Sequence, residues 1–378
     1  MAVSRPCYCS RDDVKVALDF EITAPDDARI DRALQSIAQT IEGHLHRYFY
    51  PNDFTCYLDW PNYQYAYPWR YWFDQSGAHD LWVMTQLQSP AGVSIPLWQV
   101  MPEPANRKPG FPYTRMDLDR STVAAWGAGP TPQHSIWVTG TWGWYDPQPA
   151  GTLTASCAGT DATIAVSDGS QAGAGDLLIL DAGTAAAPFP SYPATAGALG
   201  ALTGERVIVT GKSASATGLT QSGTGCGSAS ASDNALSTTG SGALNVGEVI
   251  LLATEQMLIT DITAGVATVK RAWNGTVLAS HSAATVYAYR TLSVRRGQLG
   301  TAAAGHAQNA TVSKHQPPAL IRDLAIAECL NRVLQETSGY ARVAGSGEAA
   351  MPAPGAGLAD LWDEAETVYA RKARSRAI

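Results

Sequence analysis

The sequence predicts an α+β fold: a helical-bundle core with a small β-sheet or hairpin, interrupted by an all-β insertion. Three observations point there. Apolar residues recur at helical spacing near both ends of the 378-residue chain. Nine of the 11 tryptophans fall between Trp60 and Trp144. From 150 to 315 the composition shifts to Ala, Gly, Ser and Thr, with glycines at turns and short apolar runs between them.

The elements follow in chain order. A short helix, RDDVKVALDF (11–20), is expected after Ser10, which with Asp13 has capping-box spacing, Asp replacing the usual Glu. A longer helix follows TAPDD, whose acids suit a helix N-terminus. Ile30, Leu34, Ile37, Ile41, Leu45 and Tyr48 form its apolar face, and Pro51 is expected to stop it. DLWVMTQLQ and VSIPLWQVM, flanking SPAG, predict a hairpin, and SIWVTGTWGW a further strand.

In the middle region, VKRAWNGTVLASHSAATV (269–286) resembles VRRGQLGTAAAGHAQNATV (294–312). Arg271 and Arg296, Gly275 and Gly300, Thr276 and Thr301, and His281 and His306 all keep a spacing of 25. GDLLILD and GERVIVTG upstream echo GEVILLATEQMLITD, which predicts duplicated small β-units. SASATGLTQSGTGCGSASASDN (213–234) reads as an irregular loop. Pro317–Pro318 opens a helix with Leu320, Leu324, Ala327, Leu330 and Leu334 on its apolar face. GSGEAAMPAPGAG is a linker, and Leu358, Leu361, Trp362, Ala365, Val368 and Tyr369 mark a last helix before the basic tail RKARSRAI.

Helices this short need packing partners. One domain built from 1–147 and 316–378, interrupted by 148–315, satisfies both ends, because insertions are tolerated where entry and exit lie close together.

Chemistry is sparse. A net charge of −7 argues against a general nucleic-acid binder. No secretory signal is expected, since MAVSRPCYCSRDD has no apolar core before charge appears, and VILLA (249–253) is far too short for a bilayer span. Six scattered cysteines predict a reduced, cytosol-assembled protein. GKS (211–213) is no phosphate loop, because Arg206 stands where the first glycine should be. Cys7–Tyr8–Cys9 and His44–Leu45–His46 lack the spacing of a zinc site, so neither metal nor cofactor is expected. His281 and His306 are the best polar candidates, and their duplication favours a structural role over a catalytic pair. The aromatic belt invites glycan or single-strand binding. Core and interface packing accounts for it more simply, and only Arg70 supplies a cation between Phe54 and Trp82.

DDARIDRALQSIAQTIEGHLHRYFYP resembles the first long helix of the head–tail connector (adaptor) proteins of tailed bacteriophages, with its closing basic-aromatic turn. IWVTGTWGW and PPALIRDLAIAECLNRVLQE are similar to that family's strand and following helix, here separated by the insertion. VRRGQLGTAAAGHAQNATV resembles a small β motif of phage tail and connector proteins. The resemblance implies a non-enzymatic structural virion protein at the neck, assembled in the host cytoplasm. It implies a homo-oligomeric ring of twelve copies between the portal protein and a stopper or tail terminator. Double-stranded DNA would pass through its channel without sequence recognition, and no membrane is involved. The portal-docking candidates it implies are Trp362, Tyr369, Arg371, Lys372, Arg374 and Arg376. A phage-tail adhesion protein that binds glycans or a receptor through the repeated β-units is the alternative, and a cell-envelope hydrolase is a third.

Overall fold

The computed structural model describes residues 3–18, 24–59, 69–73, 80–88, 93–104, 111–119, 121, 133–182, 202–223, 225–337, 343–344, 351–352 and 357–370. Within them the fold is α+β and mostly strands, with four helices.

Helix α1 (Arg11–Leu18) starts as its spacing predicts. The backbone N–H of Ser10 donates to Asp13 Oδ2 (2.9 Å), and the N–H of Asp13 donates to Ser10 Oγ (3.1 Å). Helix α2 (Ala24–Leu45) buries Ile30, Leu34, Ile37, Ile41 and Leu45. It ends before Pro51, because His46 turns left-handed at φ 53° and breaks the ladder. Tyr48 therefore packs from the loop beyond.

Two small sheets follow. β1 (Asn52–Leu58), β6 (Ile136–Trp142) and β3 (Leu81–Gln88) form one, with β6 central. β2 (Arg70–Trp72), β5 (Arg115–Leu118) and β4 (Val100–Glu103) form the other. Leu58, Met84, Leu87, Met116, Val138 and Trp142 fill the core they share. The expected hairpin after β3 is cut short. Only Ser94 bridges to Gln88; Pro96 has no N–H to continue the ladder, and the chain enters a short 3₁₀ turn and joins the other sheet as β4. The SPAG turn lies outside the described residues.

The middle region is one antiparallel system of ten strands: β7 (Pro147–Thr152), β8 (Thr163–Ala165), β9 (Leu177–Leu180), β10 (Glu205–Ser222), β11 (Ala235–Gly240), β12 (Val249–Leu252), β13 (Glu255–Thr263), β14 (Val266–Lys270), β15 (Thr285–Arg295) and β16 (Thr311–His315). The long strands β10 and β15 pair along most of their length and form a shared spine. Their Ser215–Thr220 and Thr285–Ala288 ends close a six-stranded barrel with β11, β14, β13 and β12 around Leu236, Ile250, Met257, Ile259 and Val286. Their other ends, with β9, β16, β7 and β8, enclose a second core of Leu153, Ile164, Leu178, Val207, Leu292 and Val312. That ring meets through the Leu153–Val166 bridge. The duplication is therefore nested: one barrel unit is spliced into the strand connection of the other. The stretch 213–234, expected as a loop, is half strand, because small Ser, Ala and Thr residues fit the β10–β15 ladder.

α3 (Ala319–Thr337) and α4 (Leu358–Tyr369) return to the opening helices. α3 buries Ile321, Leu324, Ala325, Cys329 and Val333 most deeply, a face rotated from the expected leucine stripe. The reason is that α1, α2 and α4 all pack on α3, so Leu320 and Leu330 are only partly covered. A self-contained helical bundle, expected from sequence, is not evident among the described residues. Ala174, Leu177 and Ile208 from the middle region, together with Trp144, complete the core that the helices share. In the stretch expected as a linker, Met351–Pro352 pairs with Val343–Ala344, and residues 345–350 and 353–356 lie outside the described residues.

Candidate functional site

Each barrel is organised by one buried Arg–Glu–His cluster. In the inner unit, Arg271 Nε and Nη2 donate to the two oxygens of Glu255 at 2.7 and 2.8 Å, and His281 Nε2 sits 2.8 Å from Oε2. The backbone amides of Ala272 and Ala279 donate to the same carboxylate. In the outer unit, Arg296 grips Glu205 at 2.7 and 2.6 Å, His306 Nε2 lies 3.0 Å away, and the amides of Gly297 and Ala304 complete the set. Burial alone would raise both carboxyls. The hydrogen bonds from the arginine, the histidine and the amides together outweigh it and hold each at about 2.

Each arginine also donates to carbonyls across its turn, Asp233 O for Arg271 and Ala158 O for Arg296. Each histidine backbone pairs with a cysteine: His281 N–H donates to Cys226 O and His306 N–H to Cys157 O. All the lone pairs of the carboxylates are occupied. The arrangement staples a long loop to its barrel, with each histidine bonded to a Glu distant in sequence. Sequence reading found the Arg and His members through their spacing, but Glu205 and Glu255 are 50 apart and escaped it. Nesting explains the mismatch, since the outer unit's Glu precedes the inner unit and its Arg and His follow.

The insertion joins the helical part at a charged seam. Arg206, 2% exposed, donates to Asp53 Oδ1 (3.0 Å) and Leu299 O (2.9 Å), and Asp53 N–H donates to Leu299 O. His315 is buried, and burial pushes it down to about 4. Lys212 of the insertion pairs with Asp12 of α1 at 2.7 Å; beside them Arg322 of α3 pairs with Asp13 of α1 at 2.7 Å, and Lys314 with Asp176 within the insertion at 2.8 Å. A cleft of about 380 Å³ opens here, lined by Asp12, Asp13, Lys314, Arg322 and Trp273. Its charges already neutralise one another, so an ionic ligand would have to break existing pairs to enter.

The docking candidates divide. Tyr369 is buried, its ring 5.5 Å from Phe49 and 5.6 Å from Trp144. Trp362 is half-buried, donating through Nε1 to Glu328 (2.8 Å) and touching the His44 ring. Both anchor α4 to its own chain. Val368, expected on the apolar face, is exposed, as are Asp360, Asp363 and Glu364, which give α4 an acidic outer surface. Arg371, Lys372, Arg374 and Arg376 lie outside the described residues.

Among the described residues no group of three or more His, Cys, Asp or Glu side chains is placed to hold a metal, and no helix is long and apolar enough to cross a membrane. The six cysteines are free thiols. Burial pushes Cys226 up to about 11 and Cys329 up to about 12. Comparison with known protein families, curated proteins and solved structures finds no match to this chain.

Proposed function

We infer that this chain is a structural protein of a phage neck, an adaptor that forms a ring between portal and stopper or tail. One observation carries the reading. Helices from both ends of the chain share a single core, while the intervening region leaves and re-enters at adjacent points: His315 pairs with Pro147, and Gln316 N–H donates to Asp146 O at 2.8 Å. That is the organisation expected if the adaptor scaffold is defined by its terminal segments and the nested β-units are carried as an addition. The net charge of −7 suits a channel that must not hold the phosphates of passing DNA. Because Trp362 and Tyr369 hold α4 in place, contact with the portal falls to the basic tail beyond Ala370 rather than to the helix itself.

Electron cryo-microscopy of the intact particle tests this directly. Rings of this chain below the portal, twelve copies in the expected arrangement, are the predicted result. Density that assigns the chain elsewhere, or a particle neck complete without it, overturns the reading.

A further inference from the structure

One end of the outer face of the β1–β6–β3 sheet is open, with Tyr57 and Gln86 exposed, while the other end is covered around Val83 and Thr141. On β6, Ile136 and Val138 point into the core, while Trp137 and Thr139 alternate outward. Register places Tyr57, Trp137 and Gln88 on one rung and Thr55, Thr139 and Gln86 on the next. Tyr57 is 55% exposed and stands edge-on to Trp137, with ring centroids 5.5 Å apart. Trp137 Nε1 donates to His134 O at 2.7 Å, which fixes the indole plane. The Thr55 and Thr139 hydroxyls bond one another at 2.8 Å, and each hydroxyl keeps further hydrogen-bonding capacity.

We propose that this face is a binding platform for a neutral, pyranose-based glycan. Two fixed aromatic rings offer apolar faces for the C–H surface of a sugar ring, and threonine hydroxyls and glutamine amides beside them match its hydroxyl groups. None of the six residues carries a formal charge at pH 7, which matches a neutral ligand and not a nucleic acid, whose backbone needs cations. With strands about 4.8 Å apart and alternate residues about 6.8 Å apart, the six residues span roughly 10 by 7 Å, the footprint of one or two sugar rings. The Trp137 indole and the two threonine hydroxyls are already held by neighbours, so little of their ordering entropy opposes binding. The inference is independent of the adaptor reading.

The test uses the full-length protein on an array of neutral hexose and N-acetylhexosamine oligosaccharides, followed by titration of the best binder against Tyr57→Ala, Trp137→Ala and Thr139→Val. At least one oligosaccharide should bind, with affinity unchanged between low and high salt and reduced tenfold or more in Tyr57→Ala and Trp137→Ala. Circular dichroism of Tyr57→Ala, whose ring is mostly in solvent, separates lost binding from lost folding. Absence of binding across the array, or undiminished binding by Tyr57→Ala, overturns the proposal. So does a Tyr57→Ala protein that binds sugar normally but no longer assembles, which would make the face a subunit contact.

Discussion

His315 Nε2 lies 2.8 Å from the carbonyl oxygen of Phe49, so the last residue of the inserted strands is tied to the turn that follows α2. The imidazole is buried and donates as a neutral ring; charging it would place an ion among apolar groups. Its pKa is about 4 in the folded chain against about 6.5 unfolded. The sign follows: stability from this group is complete above pH 6.5 and is lost as pH falls toward 4. Urea midpoints should fall between pH 7 and pH 5 by the equivalent of about 2 kcal/mol. His315→Gln should be less stable at pH 7 but flatter across that range. Parallel pH profiles for the two proteins would remove His315 from the explanation.

Glu205 and Glu255 act in a different window. Their carboxyls are held at about 2, so the stability they contribute is present above the ordinary carboxylate range and disappears only as pH falls from about 4.5 toward 2. Between pH 7 and pH 5 they contribute only a small slope, about 0.3 kcal/mol together, so the comparison with His315→Gln carries the test there.

Removing one partner of the inner cluster should be costly. Glu255→Gln leaves the Arg271 guanidinium, fully buried, without its counter-charge, and about 3–5 kcal/mol is expected from such losses. Hydrogen exchange should show the damage in β11–β14 first, with the outer ring of Leu178, Val207 and Leu292 still protected, because the two clusters serve separate cores. Uniform loss of protection through both rings would mean the two units do not behave separately.

Two glycines separate backbone strain from packing. Gly265 (φ 80°) and Gly300 (φ 83°) are both left-handed, so alanine at either costs about 1–2 kcal/mol. A Cβ at Gly265 meets nothing within 4 Å, whereas one at Gly300 would lie 2.1 Å from Asp53 O, a backbone atom of the seam. Gly300→Ala should therefore be clearly the more destabilising in denaturant titrations. Equal effects would show that the seam adapts freely.

The C-terminus offers a cleaner functional contrast. Tyr369→Ala removes a ring packed on Phe49, Phe111 and Trp144 and should cost about 3–5 kcal/mol. Deleting residues 371–378 removes no residue of the described cores and is expected to leave the melting temperature within about a degree. Co-sedimentation of that truncated protein with portal rings should nonetheless fail. Retained co-sedimentation would place the contact elsewhere.

What was legible in the sequence was what local physics fixes. The α2 stripe from Ile30 to Leu45 and the Ser10–Asp13 cap depend on spacings of three and four residues, and both stand in the structure. The repeated Arg, Gly, Thr and His positions also announced two related β-units. The α3 face was misjudged because three helices pack on it, and a leucine count cannot tell which neighbour covers which side. The stretch 213–234 differs from the expectation because its composition suits a linker as well as a ladder rung; its partners β15 and β11 make the first half a strand.

The sequence by itself determined the helices and the Ser10–Asp13 cap, because helical periodicity and capping act between residues a few positions apart, and it showed the repeated spacing of the two β-units. Tertiary structure alone decided that one unit is nested within the other, that Glu205 and Glu255 complete the clusters, and that Asp53 meets Arg206. Those relationships join residues from 16 to 153 positions apart, and burial decides them. Glu205 and Glu255 stay ionised inside their barrels because folding delivers an arginine, a histidine and two amides to each of them.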